Sequence, residues 1–146
     1  MIADMPRVLI ADDHGPNAEL LDAHLDGSGY DTRLAANGEE ALAVARDWLP
    51  DLILLDVMMP KVSGFEVCRR LRADPATRGI GILMVTALDQ PTDVERAVDA
   101  GTDDFVTRPV TKAELLLRVK ALLAAVSEPT PTARTLAYIG RVQQGV

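Results

Sequence analysis

The chain has 146 residues and a formal net charge of −7, which suits one domain plus a short appendage and argues against binding nucleic acid through a basic face. At 48% hydrophobic but only 3% aromatic, it can bury a core, and that core must be aliphatic. One cysteine, Cys68, excludes an intrachain disulfide, and no stretch reaches the roughly 18 apolar residues of a membrane span.

The first element is the continuous apolar run Val8–Ala11, too short for a leader and preceded by Asp4, so a cytoplasmic protein is expected. Leu20, Leu21 and Leu25 follow at helical spacing, stopped by Gly27 and Gly29. Tyr30–Ala36 alternates, with Tyr30, Thr32 and Leu34 against Asp31, Arg33 and Ala35, as a strand near an edge does. A second helix carries Ala41, Leu42, Ala45, Trp48 and Leu49 and ends at Pro50. Leu52–Leu55 is the next continuous run, and a third helix follows on Gly64, Val67, Cys68 and Leu71. Cys68 reads there as a small buried apolar residue. Ile82–Val85 repeats the pattern, followed by a helix on Val94, Ala97, Val98 and Gly101. Phe105–Thr107 is a very short strand, expected at the other edge. Thr111 with Glu114 three positions later is a capping-box pattern, and it opens the strongest helix, Leu115, Leu116, Val119, Leu122, Leu123 and Val126.

Five βα units in series predict an α/β domain, a parallel sheet with helices on both faces. Continuous apolar strands are buried on both faces and belong in the centre; the two weaker ones belong outside. That is the flavodoxin-like, doubly wound order 2-1-3-4-5. The domain is expected over residues 1–126. Residues 127–146 hold Glu128, Arg134 and Arg141, a net of +1, and read as a Pro-containing linker with a short helix over Ala133–Gln144. That helix places Leu136, Ile139 and Val142 on one side. It is too short to fold alone, so it packs on the domain, leads into a further segment, or frays; the linker and the amphipathic pattern favour a following segment.

Polar residues then collect at one rim. Asp12 and Asp13 follow the first strand, Asp56 the third, Thr86 ends the fourth and Arg108 follows the fifth. Open α/β sheets bind ligands at these carboxyl ends. Singly, each has a plainer role: helix cap, turn residue, strand-end hydroxyl, surface charge. Four units delivering polar groups to one crevice point to a site. Three carboxylates there repel one another, and a hard cation such as Mg²⁺ relieves this with oxygen ligands and retained waters. Asp13, Asp56 and a backbone carbonyl just past Asp56 supply such oxygens, with Asp12 acting through water. Asp56 is then a carboxylate nucleophile for a phosphoryl group. Thr86 and Arg108 are placed to read the new charge, and Phe105 to turn into space vacated beneath the fourth helix.

At these residues the chain resembles the response-regulator receiver (CheY-like) family of bacterial two-component signalling. The likeness runs over about residues 6–126 through Val8–Asp13, Asp31–Ala43 with its Asn37-Gly38 turn, Asp51–Pro60, Ser63–Glu66, Met84–Ala87 and Ala100–Phe105. The resemblance implies phosphoryl transfer from a sensor histidine kinase or histidine phosphotransfer protein to Asp56. It implies Mg²⁺ at Asp12, Asp13, Asp56 and the Met58 carbonyl, and a switch through Thr86 and Phe105. That switch would change the surface of the fourth helix, fifth strand and fifth helix, through which family members pair and meet an effector or output domain. It implies a regulatory protein rather than an enzyme, with self-phosphorylation and slow autodephosphorylation only.

One departure is Arg108, where the family has lysine before the last proline. Either Arg108 replaces it, or the domain is a receiver-like interaction module not controlled by phosphorylation; Lys61 and Lys112 read as surface residues. The bond before Pro109 is often cis in the family. Met58 and Leu88, two residues beyond Asp56 and Thr86, are apolar and cannot orient water, which predicts a long-lived phosphoryl group. A phosphohydrolase would need a second carboxylate where Met58 stands. His14 reads as a helix-start residue, Asn17 as structural, His24 as a surface or half-buried residue of the first helix, and Trp48 as packing outside the site.

Overall fold

The continuous apolar runs form the middle of the sheet because each is packed from both sides. In the computed structural model, which describes residues 5–128 and 130–144, β1 (Arg7–Ala11), β3 (Leu52–Leu55) and β4 (Gly81–Thr86) are flanked by β2 (Asp31–Ala35) and β5 (Asp104–Thr107). All pairings are parallel and the order is 2-1-3-4-5. Asp4, Pro129 of the expected linker, and Gly145 and Val146 lie outside the described residues.

Side chains of a strand alternate between faces, and the register turns this into two cores. Leu9, Ile53, Ile82 and Met84 face α2 (Gly38–Trp48), α3 (Gly64–Ala73) and α4 (Pro91–Ala100). Val8, Ile10, Leu54 and Leu83 face α1 (Gly15–Leu25) and α5 (Lys112–Ala125). Burying each such side chain contributes about 1.5–3 kcal/mol. Cys68 is buried, its thiol on the Ala100 carbonyl. Among the described residues no helix is long and apolar enough to cross a membrane.

Local chemistry sets the helix starts. His14, Asn37, Ser63 and Thr111 each accept a backbone N–H from the first turn, satisfying donors that have no partner within the helix. The Thr111 hydroxyl accepts from the Glu114 N–H, whereas the Glu114 carboxylate turns to Arg118. At the end of α4, Gly101 takes φ 100, open to glycine without a Cβ penalty.

Several apolar residues expected on buried faces point outward: Leu20, Leu34, Leu49, Val94 and Val98 are exposed. A helix turns about 100° per residue, so Leu21 and Leu25 take the inner face of α1 and Leu20 falls beside it. At the edge strand β2 it is Ala35 that enters the core. The last helix, α6 (Pro131–Gln144), packs against α5. The side carrying Leu136 and Ile139 faces away; Ala137, Tyr138 and Val142 face the domain.

Candidate functional site

The ladder of the sheet brings the rim residues together. Asp12 is held by its N–H on the Ala35 carbonyl, and Asp56 by its N–H on the Ala11 carbonyl. Their carboxylates and that of Asp13 offer oxygens within 4.8 Å of one another. The side chains of Asp12 and Asp56 are only 1% and 7% exposed, and Asp13 faces solvent.

Such crowding has electrostatic consequences. Burial raises the Asp12 pKa above the ordinary carboxylate value, and the charges of Asp56 and Asp13 push the same way. The His14 N–H, 2.9 Å from Asp12 Oδ1, and the Arg108 cation oppose this. Arg108 is the internal counter-ion of the site. Its Nη2 lies 3.0 Å from Asp56 Oδ1, 3.2 Å from Asp12 Oδ2 and 3.1 Å from the Val85 carbonyl. Its N–H donates to the Thr86 carbonyl at 2.8 Å, and the Arg108–Pro109 bond is cis. Nε of Arg108 is buried without a hydrogen-bond partner among the described residues. An unpaired buried donor is costly; the guanidinium nitrogen that stands beside Asp56 is Nη2.

Thr86 is fully buried at the end of β4, and its hydroxyl accepts the Leu88 N–H at 3.4 Å. Phe105 sits half-buried on β5 opposite Met84 and packs on the α2–α4 side. The Met58 N–H points at Asp56 Oδ1 from 3.4 Å, and the Met58 side chain is exposed. Lys61 and Lys112 are exposed. His14 caps α1. Half-buried His24 and Asn17 line a shallow groove with Leu20 and Pro109. The Trp48 carbonyl accepts from Arg7, at the opposite ends of the strands.

Three contributors were not singled out from the sequence. The Val85 carbonyl and the His14 N–H are backbone groups, and no side-chain pattern announces them. In the sequence Gly64 marks only a helix position within a matching motif. A Cβ there would stand 2.2 Å from the Asp56 carbonyl oxygen and 2.7 Å from Val57 Cα, so α3 can approach the acceptor loop only through glycine.

A doubly wound sheet with a carboxylate cluster and a cation at the carboxyl ends of its strands defines an α/β domain with a ligand site at that rim. The sequence model of the response regulator receiver domain matches residues 8–120, and the chain belongs to that family. It is 47% identical over 119 residues to the DNA-binding dual master transcriptional regulator RpaA of Synechocystis sp., covering 82% of this chain and 49% of that protein. It is 45% identical over 116 residues to the response regulator PleD of Caulobacter vibrioides, covering 80% and 26%. The chain thus spans half or less of the length of these relatives. The solved signal receiver domain of a signal transduction histidine kinase from Syntrophus aciditrophicus is similar with a TM-score of 0.78 and 37% identity, covering 86% of this chain and 96% of that one.

Proposed function

We propose that this receiver domain is controlled by phosphorylation of Asp56, and the observation that carries the reading is the cluster of Asp12, Asp13 and Asp56, with Arg108 bridging Asp12 and Asp56. An Asp56 carboxylate oxygen attacks the phosphorus of a phosphohistidine. The P–N bond breaks, the imidazole leaves with the electron pair and takes up a proton, and Asp56 becomes an acyl phosphate. The donor is a sensor histidine kinase or a histidine phosphotransfer protein. The hard oxygen donors fit a divalent cation, and Asp12, Asp13, Asp56 and the Met58 carbonyl would hold Mg²⁺, which supplies charge neutralisation at the phosphoryl oxygens. Arg108 turns its spare donors to the new oxyanion. Thr86 reports the charge, and Phe105 follows at β5.

The receiver unit occupies residues 1–126, and residues 127–146 are an appended element. The domain works in the cytoplasm as a regulatory switch, with self-phosphorylation and slow autodephosphorylation as its only chemistry. Its output passes to an effector or output domain through α4, β5 and α5, the surface through which two copies pair. Mg²⁺-dependent labelling by acetyl phosphate, abolished in Asp56→Asn, is the test; no labelling from any phosphoryl donor would overturn the reading.

One observation favours a second reading. The Arg108 guanidinium already bridges Asp12 and Asp56, which is how a receiver-like interaction module would hold its site closed without phosphorylation. Titration with Mg²⁺ and beryllofluoride, followed by amide shifts, separates the two, with Arg108→Lys as the comparison. Trp48 lies at the wrong end of the strands to report it.

A further inference from the structure

The appended helix α6 is fastened to the domain by polar groups as well as by the packing of Ala137, Tyr138 and Val142 on the apolar cluster. Leu136 and Ile139 remain 65% and 46% exposed, whereas Tyr138 is 9% exposed. Arg134 and Tyr138, one helical turn apart and on one face, reach two consecutive acids at the start of β5. The Tyr138 hydroxyl donates to Asp104 Oδ2, which Arg118 Nη1 of α5 also meets at 2.5 Å. Arg134 Nη2 donates to Asp103 Oδ2 at 2.8 Å, which Arg72 Nη2 meets at 2.9 Å. Each acid is thus shared between an arginine of the domain and one residue of α6.

The same short strand is tied to the site at its other end. Asp104 Oδ1 accepts the Phe105 N–H at 2.8 Å, so the carboxylate that holds Tyr138 also holds the backbone of Phe105. Three residues on, Arg108 reaches Asp12 and Asp56. Among the described residues β5 has one neighbour in the sheet, β4. A four-residue edge strand therefore carries the α6 anchor at its start and the cation of the site just past its end.

We propose that the β5–α5 face is a helix-binding surface whose occupant is this chain's own α6, recognised by Asp103 and Asp104, and that phosphorylation of Asp56 releases α6 through Arg108 and β5. The inference rests on Asp56 being the acceptor. A phosphoryl group adds a charge of about −2 beside Arg108 and gives it new oxygens in place of Asp12 and the Val85 carbonyl. The strand end moves with it, and the Asp104–Phe105 hydrogen bond passes the shift to the α6 anchor. The two states differ in contacts at both ends of β5, which any coupling between sites requires. A second copy pairs through β5 and α5 only after α6 has left that face.

The test is hydrogen exchange of α6 amides in the full chain, with and without Mg²⁺ and beryllofluoride. Loading of Asp56 is expected to speed exchange of the α6 amides about 10-fold, within the usual 5–150-fold of coupled sites, and to leave α1 unchanged. Linkage demands the reciprocal effect: Tyr138→Phe and Arg134→Gln, which loosen α6, tighten beryllofluoride binding by up to the same factor. Asp56→Asn abolishes the response. Amide shifts at Val57 and Met58 report loading independently. Loading shifts with unchanged α6 exchange, or variants that bind beryllofluoride no more tightly than wild type, overturn the coupling alone. The absence of any Asp56-dependent shift overturns the acceptor reading and the coupling with it.

Discussion

Gly64→Ala isolates the packing that places the acceptor. In a helix, alanine is favoured over glycine by about 0.5–1 kcal/mol, so propensity alone predicts a more stable protein. The local geometry predicts the reverse. The added Cβ would stand 2.2 Å from the Asp56 carbonyl oxygen, 2.7 Å from Val57 Cα and 2.9 Å from the Asp56 carbonyl carbon. These are backbone atoms and cannot rotate away. Restoring ordinary contact, at 3.4 Å or more, needs a displacement of about 1 Å between the start of α3 and the loop after β3. Overpacking of this kind costs about 1–3 kcal/mol, and rigid neighbours put it at the upper end, equivalent to a fall in Tm of about 10 °C for a domain of this size. A shift of about 1 Å at a reacting group costs about 100-fold in rate. Thermal unfolding followed by circular dichroism, with Mg²⁺-dependent acetyl phosphate labelling alongside, checks both figures. A variant at least as stable as wild type, with unchanged labelling, would show that the start of α3 does not press on the acceptor loop.

Asp12→Asn stabilises the metal-free domain at neutral pH. Because burial raises the Asp12 pKa, the folded state keeps its proton over a pH window where the unfolded chain has lost it, so stability falls as pH rises through that window. The gain from asparagine is therefore present at pH 7 and gone below about pH 4, and melts in chelator at both pH values report it. Cys68, whose thiol burial pushes up to about 11, stays unlabelled by a disulfide reagent at pH 8 in the native protein and reacts on unfolding in urea; prompt native labelling contradicts the packing. The phosphorylated protein holds its label for minutes, since Met58 and Leu88 offer no group to orient water; loss within seconds counts against that account. Ile53→Ala, at the fully buried centre of β3, lowers stability by about 2–5 kcal/mol, read as a shift in urea midpoint at constant slope.

Most of the sheet was legible because its signal is local. A strand covered on both faces must be apolar throughout, so Val8–Ala11, Leu52–Leu55 and Ile82–Val85 marked the centre and the order followed. The acidic cluster was legible for a related reason: strands of one direction deliver their carboxyl ends to one rim, so residues distant in sequence converge on it. Leu20, Val94, Val98, Leu136 and Ile139 were less so. Helical period defines a stripe, and which edge of the stripe meets the domain depends on what stands opposite.

Length, charge, aliphatic runs and the placement of Asp12, Asp13, Asp56, Thr86 and Arg108 were sufficient to derive the class of fold and the gathering of the acids at one rim, because both depend on short-range pattern and on a single strand direction. Folding in three dimensions was needed to show that Arg108 bridges Asp12 and Asp56, that Gly64 lets α3 touch the acceptor loop, and that α6 docks through Arg134 and Tyr138 rather than through Leu136 and Ile139. Those contacts join residues with no fixed separation in the chain, and their strength depends on burial, which the packing of the whole domain creates.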